Sequence, residues 1–257
     1  MIIEPPPIRL AITNDTIGGF DSSFCSVVYM GATTAKRFNS QIQIIGDFPS
    51  EWDKDILNKE PMFYKSHISF VHEHAGPVTK AFLDSLPSGW DDCVIDSRTH
   101  MLMNGWFPAI PGFHHDDVPR PPIPEGQHFL TAPQPDYDNP RYHSEHLLGL
   151  VNAEVCPTEF AVGECTMPAI PEGGLIYREW HNEVMRLLER GEMQSIKAPS
   201  GKLIQFDWQT FHQGTKAVGS GWRWFIRLTR NSDTVRTPKN EIRRQVQVYL
   251  EFPMEGW

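Results

Sequence analysis

Residues 201–229 read GKLIQFDWQTFHQGTKAVGSGWRWFIRLT. After a turn at Ser200-Gly201, residues 202–206 predict a strand that bends near Asp207 and delivers Phe211-His212-Gln213-Gly214. Eleven residues after His212 stands Arg223, inside a second strand predicted over 222–230. Successive side chains of a strand point to opposite faces. Arg223, Phe225, Arg227 and Thr229 therefore share one face, and Trp222, Trp224, Ile226 and Leu228 the other. The second face is wholly apolar and is expected to pack against outer helices. The first carries two guanidinium groups into the interior. A buried guanidinium needs an anionic partner, and a carboxylate suits its planar fork because it accepts two parallel hydrogen bonds.

Upstream, the spacing predicts a long strand over 94–104 that ends at Gly105, then a Pro- and Gly-containing turn over 106–113. Next comes Gly112-Phe113-His114-His115-Asp116-Asp117, followed by a loop with four prolines between 119 and 124. In an extended backbone His114 and Asp116 point the same way. One imidazole and one carboxylate at that spacing can fill adjacent corners of an octahedral metal. With a third ligand from elsewhere they form the two-His-one-carboxylate set of non-haem Fe(II) oxygenases. His115 and Asp117 repeat the spacing, so two registers are open. The Gly-aromatic pair directly before His114 favours His114 and Asp116. His212 is the candidate third ligand. A dicarboxylic co-substrate would supply an anion for one of the two inward arginines.

The remaining elements are short. Strands are expected over 26–30, 41–45 and 245–252, and residues 147–152 and 159–162 are expected to pair as strands across AEVCPT. Helices are expected over 78–86, stopped by Pro87-Ser88-Gly89, and over 178–190. In the latter Trp180, Val184, Leu187 and Leu188 recur at helical spacing and Gly191 occupies a C-cap position. Many strands, 22 Pro and 19 Gly point to a mainly β barrel or sandwich with flanking helices. There is no repeat and no convincing domain boundary.

Composition narrows the function classes. The net charge of −9 opposes bulk attraction to nucleic acid or an anionic membrane. The only basic stretch is RTPKNEIRR, residues 236–244. Four cysteines, Cys25, Cys93, Cys156 and Cys165, form no CxxC pair and suggest reduced thiols. No apolar run reaches about 18 residues, and the N-terminus does not read as a signal peptide. A cytoplasmic enzyme is expected.

Taken together, His114-His115-Asp116, the late His212 and Arg223 resemble the pattern of the Fe(II)/2-oxoglutarate-dependent oxygenase superfamily. The texture is closest to its phytanoyl-CoA hydroxylase-like branch. The resemblance covers about residues 93–230. It implies a double-stranded β-helix (jelly-roll, cupin-like) core at 93–230, N-terminal flanking elements at 1–92 and a C-terminal extension at 231–257, all in one domain. It implies Fe(II) held by His114, Asp116 and His212, with O2 and 2-oxoglutarate as co-substrates. Arg223 would grip the distal carboxylate, Arg227 is the rival, and Thr229 would assist either. The implied reaction is hydroxylation of a C–H bond of a small molecule, with release of succinate and CO2. Alternatives are the same chemistry on a protein side chain or nucleobase, and a jelly-roll metal-binding or structural protein without catalysis.

Other candidates are weaker. Val71-His72-Glu73-His74 reads as surface or strand edge, and His143 and His146 read as a loop, with a place at the substrate entrance as the alternative. Arg98 and His100 share a strand face with Asp96 and could border the site. Trp106 and Phe107 suit either a substrate wall or the core.

Overall fold

The computed structural model describes residues 34–120, 135–139, 143–171 and 175–250. These are mainly β, in antiparallel sheets with few helices. The chain runs through β1 (Lys36–Ser40), β2 (Ile42–Asp47), α1 (Lys54–Leu57), β3 (Met62–Tyr64), β4 (Ser66–His67), α2 (Ile68–His74) and α3 (Pro77–Leu83). Then come β5 (Val94–Leu102), β6 (Glu145–Val151), β7 (Thr158–Met167) and α4 (Ile176–Glu189). The rest comprises β8 (Gln194–Lys197), β9 (Lys202–Asp207), β10 (Phe211–Gly214), β11 (Gly221–Arg230), α5 (Asp233–Arg236) and β12 (Glu241–Arg243).

A six-stranded sheet has the order β2-β9-β6-β11-β5-β4. In a smaller sheet the first half of β7 lies between β8 and β10, and its second half pairs with β1. β12 and β3 make a separate two-stranded ribbon.

The alternation of β11 explains the layering. Trp224, Ile226 and Leu228 pack outward against Val71 of α2 and Val78 and Phe82 of α3. On the inner face of the large sheet, Leu148, Leu150, Ile204 and Phe206 meet Phe160 of the small sheet, so the two sheets face each other. Trp180, Val184 and Leu187 of α4 cover Phe38, Phe113 and Phe211. Each of these side chains contributes about 1.5–3 kcal/mol through removal of its surface from water. Gly191 follows α4 at φ +71°, the left-handed conformation that ends a helix.

Several expectations need correction. The strands at 147–152 and 159–162 both form, as β6 and β7, but they do not pair. Residues 152–157 carry the chain from one sheet to the other, and Leu148 and Phe160 meet face to face in the core instead. Of the strand expected over 245–252, residues 245–250 show only a single bridge, Tyr249 to Phe107, among the described residues, and 251–252 lie outside them. The ladder lies earlier, where β12 finds β3. His72, Glu73 and His74 are exposed, as expected of a surface segment, but on helix α2 rather than a strand edge. The described part of the N-terminal flank gives an edge strand to each sheet. The strand expected at 26–30, Cys25 and most of the proline-rich loop lie outside the described residues. Cys93, Cys156 and Cys165 are free and buried. Among the described residues no helix is long and apolar enough to cross a membrane.

Candidate metal centre

β5 ends at Leu102, and the chain then travels through a turn to Gly112, whose φ of +118° is a conformation only glycine adopts readily. Phe113 then drops into the core beneath α4, and its backbone N–H donates to His181 Nδ1. His114 pairs across to His212 of β10: each backbone N–H donates to the other's carbonyl, at 3.0 and 3.2 Å. Two residues 98 apart in sequence thereby become direct cross-strand neighbours.

His114, Asp116 and His212 each present a ligand atom, and these atoms all lie within 4.8 Å of one another. His212 Nε2 is 2.8 Å from Asp116 Oδ2, and His114 Nε2 is 3.8 Å from Asp116 Oδ1. His114 Nδ1 donates to Gly112 O at 2.8 Å and His212 Nδ1 to Thr210 O at 3.0 Å. Each Nδ1 is thus committed to a backbone carbonyl, and each Nε2 faces the carboxylate. A cation placed among these atoms would be ligated by both Nε2 atoms and the Asp116 carboxylate, which Arg227 already orients. Burial and the neighbouring His212 push His114 down to about 4, which keeps its imidazole neutral and ready to ligate. The donor set therefore fits a divalent transition metal such as Fe(II).

The competing register does not converge. His115 Nδ1 bonds Tyr137 Oη at 2.9 Å, and its ring packs against Phe211 at 3.9 Å and Phe38 at 4.8 Å. It belongs to the aromatic core under α4. Asp117, at φ +54°, turns the chain out of the extended run. Its carboxylate lies 3.9 Å from Arg227.

The two inward arginines differ in surroundings. Arg227 Nη1 donates to Asp116, and Nη2 lies 3.3 Å from Asp96. Burial alone would depress Arg227, but Asp116, Asp117 and Asp96 outweigh it and raise it above its ordinary value. Asp116 responds in kind: burial pushes it up, and Arg227 and His212 more than reverse that, holding it well below the carboxylate range. Arg223 is 2% exposed. Its Nε donates to Cys156 O at 2.6 Å and its Nη2 to Thr158 Oγ1 at 3.1 Å. Among the described residues no carboxylate pairs with it, and burial lowers its pKa.

Comparisons with protein-family models, curated proteins and solved structures found no match.

Arg223 and Arg227 both line a cavity of about 260 Å³, together with Tyr64, Asp96, Arg98 and His100. His100 lies opposite Arg223 in the β11–β5 register. Its Nδ1 is buried without a hydrogen-bond partner. Asp96 in this cavity is engaged by Arg227, so among the described residues Arg223 has no carboxylate partner and His100 Nδ1 no hydrogen-bond partner, and a bound anion would satisfy both. Thr229 is not at this end: its hydroxyl bonds His146 Nδ1 at 3.0 Å. Trp106 packs in the cluster around Leu102, Cys156 and Ala217. Phe107, buried and bridged to Tyr249, does not line this cavity.

His146 is the residue the sequence reading misplaced. It lies on β6 rather than in a loop, fully buried, between Ser144 and Thr229. Its ring stacks on Phe206, which in turn packs against the His212 ring. Counting back by two from Leu150 and Leu148 puts residue 146 on the inner face, and that signal was in the sequence. His143 is exposed.

Proposed function

We propose that this chain is a non-haem Fe(II)- and 2-oxoglutarate-dependent dioxygenase on a jelly-roll core, hydroxylating a C–H bond of a small molecule with release of succinate and CO2. One observation carries the reading. Two histidines and an aspartate, far apart in the chain, converge against Arg227 of β11, and the same strand face carries Arg223, buried with no carboxylate partner among the described residues. The jelly-roll reading draws on the path of the chain. From β5 through the His114 bridge, β6, β7, β8, β9, β10 and β11 it switches repeatedly between two facing antiparallel layers, as a double-stranded β-helix does.

His114, Asp116 and His212 would hold Fe(II). The bound iron would supply O2 activation coupled to oxidative decarboxylation of 2-oxoglutarate. The chain's own residues prepare that chemistry. The carbonyls of Gly112 and Thr210 lock both imidazoles in the ligating tautomer. Arg227 holds the Asp116 carboxylate in place and keeps it ionised. Arg223, oriented by Cys156 O and Thr158 Oγ1, receives the distal carboxylate of 2-oxoglutarate. Phe160 and Phe206, at 6.0 and 5.0 Å from the His212 ring, keep water from that side.

The test is succinate formation from 2-oxoglutarate with Fe(II) and ascorbate, with and without candidate substrates, beside anaerobic Fe(II) binding by calorimetry. One equivalent of metal is expected, and His212→Ala should lose both metal and turnover. Equal metal binding by His212→Ala would remove the basis of the proposal.

A further inference from the structure

The basic segment at 236–244 lies beside the Arg223 cavity. β12 is held on β3, and Tyr249 is bridged to Phe107. Residues 241–247 and Tyr249 thereby wall an open cavity of about 820 Å³, which shares Arg98, His100, Pro108 and Ala109 with the Arg223 cavity. Four cations surround the Tyr64 ring; Arg98 and Arg243 among them line the open cavity, and Lys65 lines the Arg223 cavity. Arg243 Cζ stands 3.5 Å from the Tyr64 centroid, Lys239 Nζ 5.2 Å, Arg98 Cζ 5.7 Å and Lys65 Nζ 5.8 Å. Arg244 adds a third guanidinium to the wall of the open cavity. Opposing them are Glu241, 2.9 Å from Arg243, and Asp96, which Arg227 already engages.

A chain of net charge −9 has thus gathered a cationic excess at one spot. Like charges at such spacing repel, and an anion among them relieves the repulsion. We propose that this rim is a binding site for a phosphate-bearing small molecule, placed to anchor the substrate beside the co-substrate pocket. A multiply charged group suits so many cations better than a single carboxylate does. The cavity is within the size range of small-molecule sites, roughly 300–1,000 Å³. The acidity of the whole chain opposes a nucleic-acid polyanion. As an anchor for substrate the site rests on the oxygenase reading; as an anion site it does not.

The test uses the full-length, metal-loaded protein and inorganic pyrophosphate as probe, followed by calorimetry. Pyrophosphate should bind the wild type with an affinity that weakens as salt is raised. Arg243→Glu with Arg244→Glu should weaken it at least tenfold more than it weakens 2-oxoglutarate, titrated into the same sample. Arg244→Glu alone, on an exposed side chain, should weaken it about threefold, which keeps the test valid if the double variant folds poorly. No binding by the wild type overturns the proposal, as do equal binding by the variants and one-for-one competition with 2-oxoglutarate. Tighter binding of a single-stranded oligonucleotide than of pyrophosphate overturns the small-molecule assignment. Pyrophosphate binding without 2-oxoglutarate binding would sink the oxygenase reading and leave the anion site standing.

Discussion

Arg223 and Arg227 are four residues apart on one face of β11, and they have opposite relations to the rest of the chain. Arg227 is enclosed by Asp96, Asp116 and Asp117. Arg223 bonds only a backbone carbonyl and a threonine hydroxyl among the described residues. A buried charge with its partners built in is a structural element, and removing it strands those partners. A buried charge without one costs folding energy, which a bound anion would offset. Under the proposed function, the first would organise the metal ligands and the second would receive the co-substrate.

Breaking the Arg227 side should have the largest effect on stability. Arg227→Ala leaves buried carboxylates uncompensated and should cost about 3–5 kcal/mol of unfolding free energy in the metal-free protein. Denaturant unfolding with and without divalent metal checks this, and added metal should recover part of the loss. Arg223→Ala should behave in the opposite sense. Its stability should be unchanged or improved, while its 2-oxoglutarate requirement rises by about 1.5–3 kcal/mol of lost charge-assisted hydrogen bonding, or roughly 10- to 150-fold. If Arg227→Ala raises that requirement and Arg223→Ala does not, the roles are reversed.

A third prediction concerns linkage. At a concentration 100-fold above its Kd, 2-oxoglutarate should stabilise the metal-loaded wild type by about 2.7 kcal/mol, and at the same concentration should add almost nothing to Arg223→Ala. Thermal melts with a titration of the ligand read it directly.

The smallest effect involves His100. Burial, Arg223 and Arg98 push it down to about 3 in the folded protein. The unfolded chain takes up its proton below about 6.5 while the folded chain does not. Its neutral form therefore favours folding fully above pH 6.5, and that contribution is lost as pH falls from 6.5 toward 3. The slope is at most about 1.4 kcal/mol per pH unit. His100→Gln should flatten the stability profile between pH 6.5 and 5.5 by about 1 kcal/mol or less.

Much of this was legible in the sequence because two-residue alternation is a local rule. It assigned both faces of β11, the inward arginines and the shared direction of His114 and Asp116. It did not separate His114 from His115, because both registers satisfy the same spacing. The choice came from Phe211, Phe38 and Tyr137, which draw the His115 ring into the core. Nor did it separate Arg223 from Arg227, whose difference depends on carboxylates from β5 and the segment after it. The supposed pairing of residues 147–152 with 159–162 failed for a related reason. Strand propensity marks a segment as extended, but the sheet it joins is set by which apolar faces meet across the core. RTPKNEIRR was visible as charge, whereas its position beside Tyr64 came from pairing with β3, distant in the chain.

The most direct test of the central claim is anaerobic calorimetry of 2-oxoglutarate into three proteins: metal-free wild type, Fe(II)-loaded wild type and Fe(II)-loaded Arg223→Ala. One equivalent should bind tightly to the second alone. Equal binding to all three would mean that metal and guanidinium do not act on a shared ligand.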